Sequence, residues 1–387
     1  MRRRAAVAAF VLAAVVWSSG CDSPAAPGAL REVLDLTTGA QHTCAITAQG
    51  SAWCWGRGTE GQLGNQRVHD SNVPVRVDGY DDWVQLDGGR RHTCGVRANG
   101  NLQCWGWGFY GQLGTGNTAT LAGASELATV DTYVQVSAGA NHTCAVTTRA
   151  TVSCWGANGQ GQLGDSTLVN RLEPTPVATT EVFAAVTAGS FHTCGLTPDG
   201  RALCWGLNHL GQLGTGDLVS STAPVPVQTS LSFQSLSAGV SHTCGIATTG
   251  AAYCWGSNEF GEIGNGGVVE AGFAGAVVPE PTRLGYSYTS VHAGDGYTCA
   301  HMPPSSAACW GRGLEGQLGS GQPVIMYVPV PIYRDLRVSQ LDVGYAHVCA
   351  AGTDGGVYCW GDGRRGQLGT VRQSATTTPA RVSPPND

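Results

Sequence analysis

Fourteen of the chain's 15 cysteines fall into seven pairs, each pair ten residues apart. They are Cys44 and Cys54, Cys94 and Cys104, Cys144 and Cys154, Cys194 and Cys204, Cys244 and Cys254, Cys299 and Cys309, and Cys349 and Cys359. The pairs recur every 50 residues, with one step of 55 between Cys244 and Cys299. A fixed period of this length means an array of like units, none of which can bury its apolar face alone. Each second cysteine is followed by Trp-Gly, at Trp55, Trp105, Trp155, Trp205, Trp255, Trp310 and Trp360. Gly-Gln-Leu-Gly follows in every unit, varied only at Gly261-Glu262-Ile263-Gly264. His-Thr-Cys opens five units, while the last two have Tyr297-Thr298-Cys299 and His347-Val348-Cys349.

Within a unit the hydrophobic period is two, not 3.6. Val33–Thr37 alternates, His42–Ile46 and Ala52–Gly56 are short runs, and Val73–Val77 is a fourth. Four short strands separated by glycine turns make a propeller blade. The expected fold is all-β, a seven-bladed β-propeller with four antiparallel strands per blade. Its units span about 33–82, 83–132, 133–182, 183–232, 233–287, 288–337 and 338–387.

Second and third strands form a hairpin in which Cys44 and Cys54 are equidistant from Gln49. Pairing Thr47 with Ser51 leaves a three-residue loop that favours glycine at its last, left-handed position. Gly50, Gly100, Gly200, Gly250 and Gly355 stand there; Ala150 and Ser305 do not fit, so their turns are expected to differ. In this register each cysteine pair lies directly across the ladder, within disulfide reach. Seven local disulfides are the expectation. Metal binding is the rival, but zinc sites use cysteines two to four residues apart. Free buried thiols are a third possibility, tied to a reducing compartment.

The N-terminus bears on that compartment. Arg2, Arg3 and Arg4 precede an apolar run from Ala5 to Trp17, the layout of an export signal and too short for a membrane span. Ser18-Ser19-Gly20-Cys21 then resembles the bacterial lipoprotein box, with Ser18 where that box prefers Leu. The resemblance implies a signal peptide over 1–20, lipid attachment at Cys21 and a flexible tether over 21–32. An ordinary cleaved signal with a stray cysteine is the alternative. Either way the chain is expected to leave the cytoplasm; with the lipid anchor it is expected in the cell envelope, in the periplasm or at the cell surface.

The unit Gly-x-x-His-Thr-Cys…Gly…Cys-Trp-Gly-x-x-x-x-Gly-Gln-Leu-Gly…Pro-x-x-Val resembles the regulator of chromosome condensation repeat over about residues 33–385. That resemblance implies a seven-bladed propeller. It does not imply one function, because the family includes an exchange factor, a photoreceptor and an inhibitor of β-lactamases.

Several functions are excluded or disfavoured. Net charge is −6 and all 21 basic residues are arginine, so no nucleic-acid partner is expected. Gly-Gln-Leu-Gly lacks the Lys-Ser/Thr of a phosphate loop. The histidines recur once in six of the seven units, as structural residues do, and each imidazole is expected to satisfy backbone groups of its own blade. No catalytic set, metal or cofactor is expected. The informative residues are those that depart from the repeat. In an up-and-down blade the first and third loops share a face, and on it lie Arg90, Arg91, Trp107, Phe109, Tyr110, Phe191, Leu210, Phe260, Tyr345, Arg364 and Arg365. Aromatics and arginines at loop tips are the composition of binding hot spots. The expectation is a monomeric, lipid-anchored binding module for an unspecified protein. An enzyme inhibitor is the runner-up, and a propeller hydrolase or lyase ranks third.

Alkylation followed by mass spectrometry, on protein taken from its native compartment, is expected to find no free thiol among the fourteen. Fourteen alkylated cysteines would exclude the pairing.

Overall fold

The hairpin register drawn from the cysteine spacing is the register observed. The computed structural model describes residues 30, 32–267, 277–333 and 336–385. In it Cys44 lies opposite Cys54, and the same pairing recurs in every unit. Paired sulfurs are 2.01–2.15 Å apart and the Cα atoms 4.0–4.1 Å apart. The expected signal peptide, Cys21, most of the tether, and residues 268–276 in the long fifth unit lie outside the described residues.

Each unit forms one complete four-stranded antiparallel sheet in sequence order. In blade 1 the strands are β1 (Val33–Thr38), β2 (His42–Thr47), β3 (Ala52–Gly56) and β4 (Ser71–Arg76). Blades 2 to 7 occupy 83–126, 133–176, 185–226, 233–287, 290–331 and 338–381. The protein is therefore a seven-bladed all-β propeller, and blade 7 meets blade 1 without any exchange of strands. First strands line a central channel. Fourth strands form the rim, and Pro74, Pro174, Pro224, Pro329 and Pro379 interrupt their outer edges. Among the described residues no helix is long and apolar enough to cross a membrane.

The turn expected to differ at Ala150 does not. Ala150 adopts φ +60°, the left-handed geometry that glycine takes elsewhere, and Thr147 N–H still donates to Thr151 O. The turn closes because its hydrogen bond and flanking ladder outweigh the modest cost of one left-handed alanine. Only at Ser305, after Pro303-Pro304, is the positive φ absent.

Neighbouring blades are joined by one repeated set of bonds. The carbonyl of each Gly-Gln-Leu-Gly glutamine accepts from the tryptophan Nε1 of the next blade at 2.9–3.1 Å, as Gln62 does from Trp105; in unit five Glu262 takes the glutamine's place. All seven indoles are fully buried, each in the core of the preceding blade. A side chain at the glycine that follows would sit 2.7 Å from the indole nitrogen, at Gly64 for example. The same carbonyl also accepts the hydroxyl of the His-Thr-Cys threonine, as from Thr93 to Gln62.

That threonine oxygen in turn accepts from the preceding blade's histidine. His42, His92, His142, His192, His242 and His347 reach the next threonine at 2.8–2.9 Å, the last pair closing the ring at Thr43. The imidazoles thus bind side chains across blade boundaries, not backbone groups of their own blade. Because the threonine proton is already donated to the carbonyl, Nε2 must carry the ring proton. Nδ1 is left buried without a partner in all six. The two deviant units explain each other. Blade 7 has Val348 in place of threonine, and blade 6 has Tyr297, whose hydroxyl lies 2.9 Å from Gly344 O and 2.8 Å from His347 O.

This pairing predicts a coupling. Tyr297→His and Val348→Thr should each destabilise by about 1–3 kcal/mol, since each leaves a buried polar group poorly served. The double variant recreates the bond found at the other boundaries. A double-mutant cycle in denaturant should recover about 1 kcal/mol or more; strict additivity would refute the pairing.

Candidate functional site

The first and third loops of each blade meet on one face. In blade 1, Arg57 N–H donates to Gln41 O at 2.8 Å. In blade 2, Trp107 N–H donates to Arg91 O at 2.9 Å. The third loop is short of freedom at its tip. Gly111 N–H bonds Gly108 O at 2.7 Å, and the Gln112 side chain accepts Tyr110 N–H at 3.0 Å. These bonds hold residues 107–110 in one shape.

On that rigid tip stands an aromatic cluster. Trp107 and Phe109 stack with centroids 5.8 Å apart and planes 9° apart. Tyr110 meets both edge-on, at 5.4 and 5.2 Å. The Arg91 guanidinium lies 5.2 Å from the Trp107 centroid, and Glu60 of blade 1 sits 3.8 Å from Arg91. Phe109 keeps 62% of its surface exposed. The blade does not require these rings. Positions equivalent to Phe109 hold Thr59, Gly159, His209, Glu259, Leu314 and Arg364.

The other sequence-derived residues share the face but not the cluster. Phe191 is exposed and Leu210 half-buried on blade 4, and Phe260 of blade 5 lies under Arg312 with 5.8 Å to the ring centroid. Arg364 is tied to Asp362 at 2.7 Å, and Arg365 reaches Asp70 of blade 1 at 3.5 Å, across the ring closure. Arg90 and Tyr345 line the channel mouth. Tyr345 is half-buried and spans that mouth, its hydroxyl 3.0 Å from Ser190 Oγ on blade 4. Burial holds its pKa above the ordinary tyrosine value.

The channel holds groups the sequence did not single out. Asp35, Asp87 and Asp342 come from three adjacent blades and line cavities of about 170 and 420 Å³. Their role is visible in their bonds. Asp35 accepts Leu86 N–H at 2.7 Å, Asp87 accepts Ala138 N–H at 2.9 Å, and Asp342 accepts Thr38 N–H at 2.7 Å. Gln85, Gln135, Ser137, Thr187 and Ser237 do the same for the blades between. An inner strand is a sheet edge, so its free N–H groups need acceptors, and the preceding blade supplies them. Alternate residues facing the channel were the available signal, since in every first strand but that of blade 4, where Ala185 intervenes, both are polar. Among the described residues no three His, Cys, Asp or Glu side chains are placed to hold a metal.

Comparison with known proteins follows this geometry. An RCC1-like domain model matches residues 18–274, and regulator of chromosome condensation (RCC1) repeat models match 338–367 and 354–387. The chain belongs to the RCC1-like domain family. Human WBSCR16 is similar at 19% identity and TM-score 0.77, over 86% of this chain and 94% of that one. Saccharomyces cerevisiae Prp20p is 20% identical at TM-score 0.77, over 87% of each. The ectodomain of the Physcomitrella patens receptor kinase CR4 is 25% identical at TM-score 0.53, over 86% of this chain and 74% of that one. No curated protein matches the chain in sequence.

Burial sets the pH response of this RCC1-like ring. It lowers five of the bridging histidines from 6.5 to about 3 and His347 to about 4. Between pH 6.5 and 4 the unfolded chain takes up protons the folded one refuses, so these histidines cost stability as pH falls. Burial raises Asp35 to about 6, Asp87 to about 7 and Asp295 above the ordinary carboxylate value, which acts the other way. Six groups outweigh three. The melting temperature is expected to fall steadily from pH 6.5 to pH 4.5 by calorimetry, and a flat or rising profile would refute the buried neutral ring.

Proposed function

We propose that the chain is an exported, lipid-anchored binding module that grips a protein partner through the blade 2 cluster of its loop face. The single observation carrying this is the Arg91–Trp107–Phe109–Tyr110 group, in which an exposed Phe109 is braced by three half-buried neighbours and which the blade does not need. Rigid aromatics give large contact area with little entropy left to lose, so they serve as anchors in protein interfaces. Related propellers support a protein-binding use of the fold. Prp20p is described with binding properties to Gsp1p and histones, and yeast RCC1 (Prp20) has been solved bound by Kap60. At 18–20% identity those partners are not carried over to this chain.

Export and anchoring rest on the N-terminal sequence and fit the rest of the chain. Fourteen cysteines standing in bonding pairs suit an oxidising compartment, and each closed loop of about ten residues contributes about 2–3 kcal/mol in the loop-entropy account. The module needs no catalytic group, and the channel carboxylates are engaged by backbone N–H groups.

The test is capture from the native envelope fraction with quantitative mass spectrometry. Trp107→Ala/Tyr110→Ala should lower recovery of the enriched protein at least tenfold, or about 1.4 kcal/mol, with the melting temperature unchanged. Unaltered recovery by the variant would refute the site.

A further inference from the structure

Both ends of the propeller leave it on one face. β1 runs toward the loop face, so the chain enters from the opposite side, where Val33 pairs with Thr47 and Ala48 N–H bonds Glu32 O at 2.9 Å. Leu30 is buried in the apolar cluster that joins blades 7 and 1, with Val357, Leu368 and Trp55. The last strand ends on that same side, where Val382 N–H bonds Val357 O at 2.8 Å. This far face is built from the tight hairpin turns and the blade-to-blade connections. Its charges are largely closed on one another, in the pairs Arg97–Asp82, Arg149–Asp131 and Arg201–Glu181.

We infer that the anchored protein sits with this far face toward the bilayer and presents the aromatic cluster outward, so that the partner is a soluble or protruding domain and not a lipid or a membrane-embedded surface. The inference rests on lipid attachment at Cys21, as proposed above. Leu30 is fixed in the propeller, which leaves nine residue steps between the lipid and the first buried side chain. Nine residues would reach about 17 Å on average as a random coil, and no nine-residue stretch exceeds about 30 Å. A six-residue strand alone is about 20 Å tall, and the third loops, 14 residues long in blade 1 from Arg57 to Asp70, rise above it. Turning the loop face to the membrane would need the tether fully drawn out along the flank, at the cost of nearly all its conformational freedom. The tether is long enough to hold the propeller near the bilayer and too short to invert it.

Chemistry provides an address for the test, because the chain contains no lysine. One introduced lysine is then the only side-chain amine for a donor dye, and unsubstituted protein measures any labelling elsewhere. Val130 is fully exposed on the far face, and His209 is exposed at a blade 4 loop tip on the other. Full-length acylated Val130→Lys and His209→Lys proteins are placed in phosphatidylcholine vesicles carrying a trace of headgroup-labelled acceptor lipid. Energy transfer should be severalfold stronger from Val130→Lys than from His209→Lys, and absent for both in a Cys21→Ser background. Equal or reversed transfer from acylated protein would overturn the orientation while leaving the anchor intact. Mass spectrometry showing no acyl group on Cys21 would overturn the anchor and the orientation together.

Discussion

The backbone carbonyl of one residue per blade bears most of the assembly. That carbonyl, at Gln62 and its equivalents, serves the indole of the next blade and, at six of seven boundaries, a threonine hydroxyl as well. A buried tryptophan offers about 150–250 Å² of apolar contact, worth roughly 4–6 kcal/mol before entropy. It also carries an N–H that would cost about 1–3 kcal/mol if left unmet. The carbonyl removes that cost, so the full apolar gain is realised between blades. The tight Gly-Gln-Leu-Gly turn exists to expose the carbonyl, and its glycines leave room for the ring. The histidine–threonine bond is then added to an oxygen already in place.

Much of this architecture was legible because repetition makes each residue its own control. Blade count, cysteine pairing and the hairpin register followed from spacing. The aromatic cluster was legible for the opposite reason, since Trp107, Phe109 and Tyr110 stand where the repeat fixes no residue and the other units vary freely. What could not be read was any contact between units. His42 and Thr93 lie 51 residues apart, and nothing in a period of 50 distinguishes a bond within a blade from one to its neighbour. The Tyr345 to Ser190 bridge spans three blades across the channel and has no sequence signature at all. Asp35, Asp87 and Asp342 are far apart in sequence and come together only when the first strands are arranged around one axis.

The two deviant units show how local such substitutions remain. Tyr297 and Val348 each break the repeat, yet the boundary between blades 6 and 7 loses no buried partner. The larger ring displaces its hydroxyl onto backbone carbonyls, and with no histidine Nε2–H to receive, an apolar valine suffices where the other blades have threonine. The proposed binding site is local in the same way. Residues that hold the ring are buried and repeated, whereas the cluster that distinguishes blade 2 stands on a loop whose shape other bonds already fix.

Ring closure without strand exchange has a consequence for connectivity. Every blade is one unbroken stretch of chain, and the junction between the last blade and the first uses the same kinds of bond as the other junctions. No boundary is privileged by the backbone. A circularly permuted chain, joined through 385 and 30 and opened at another far-face connection, would contain the same seven sheets and the same interfaces. The order in which blades are translated is then free to vary while the finished ring stays the same.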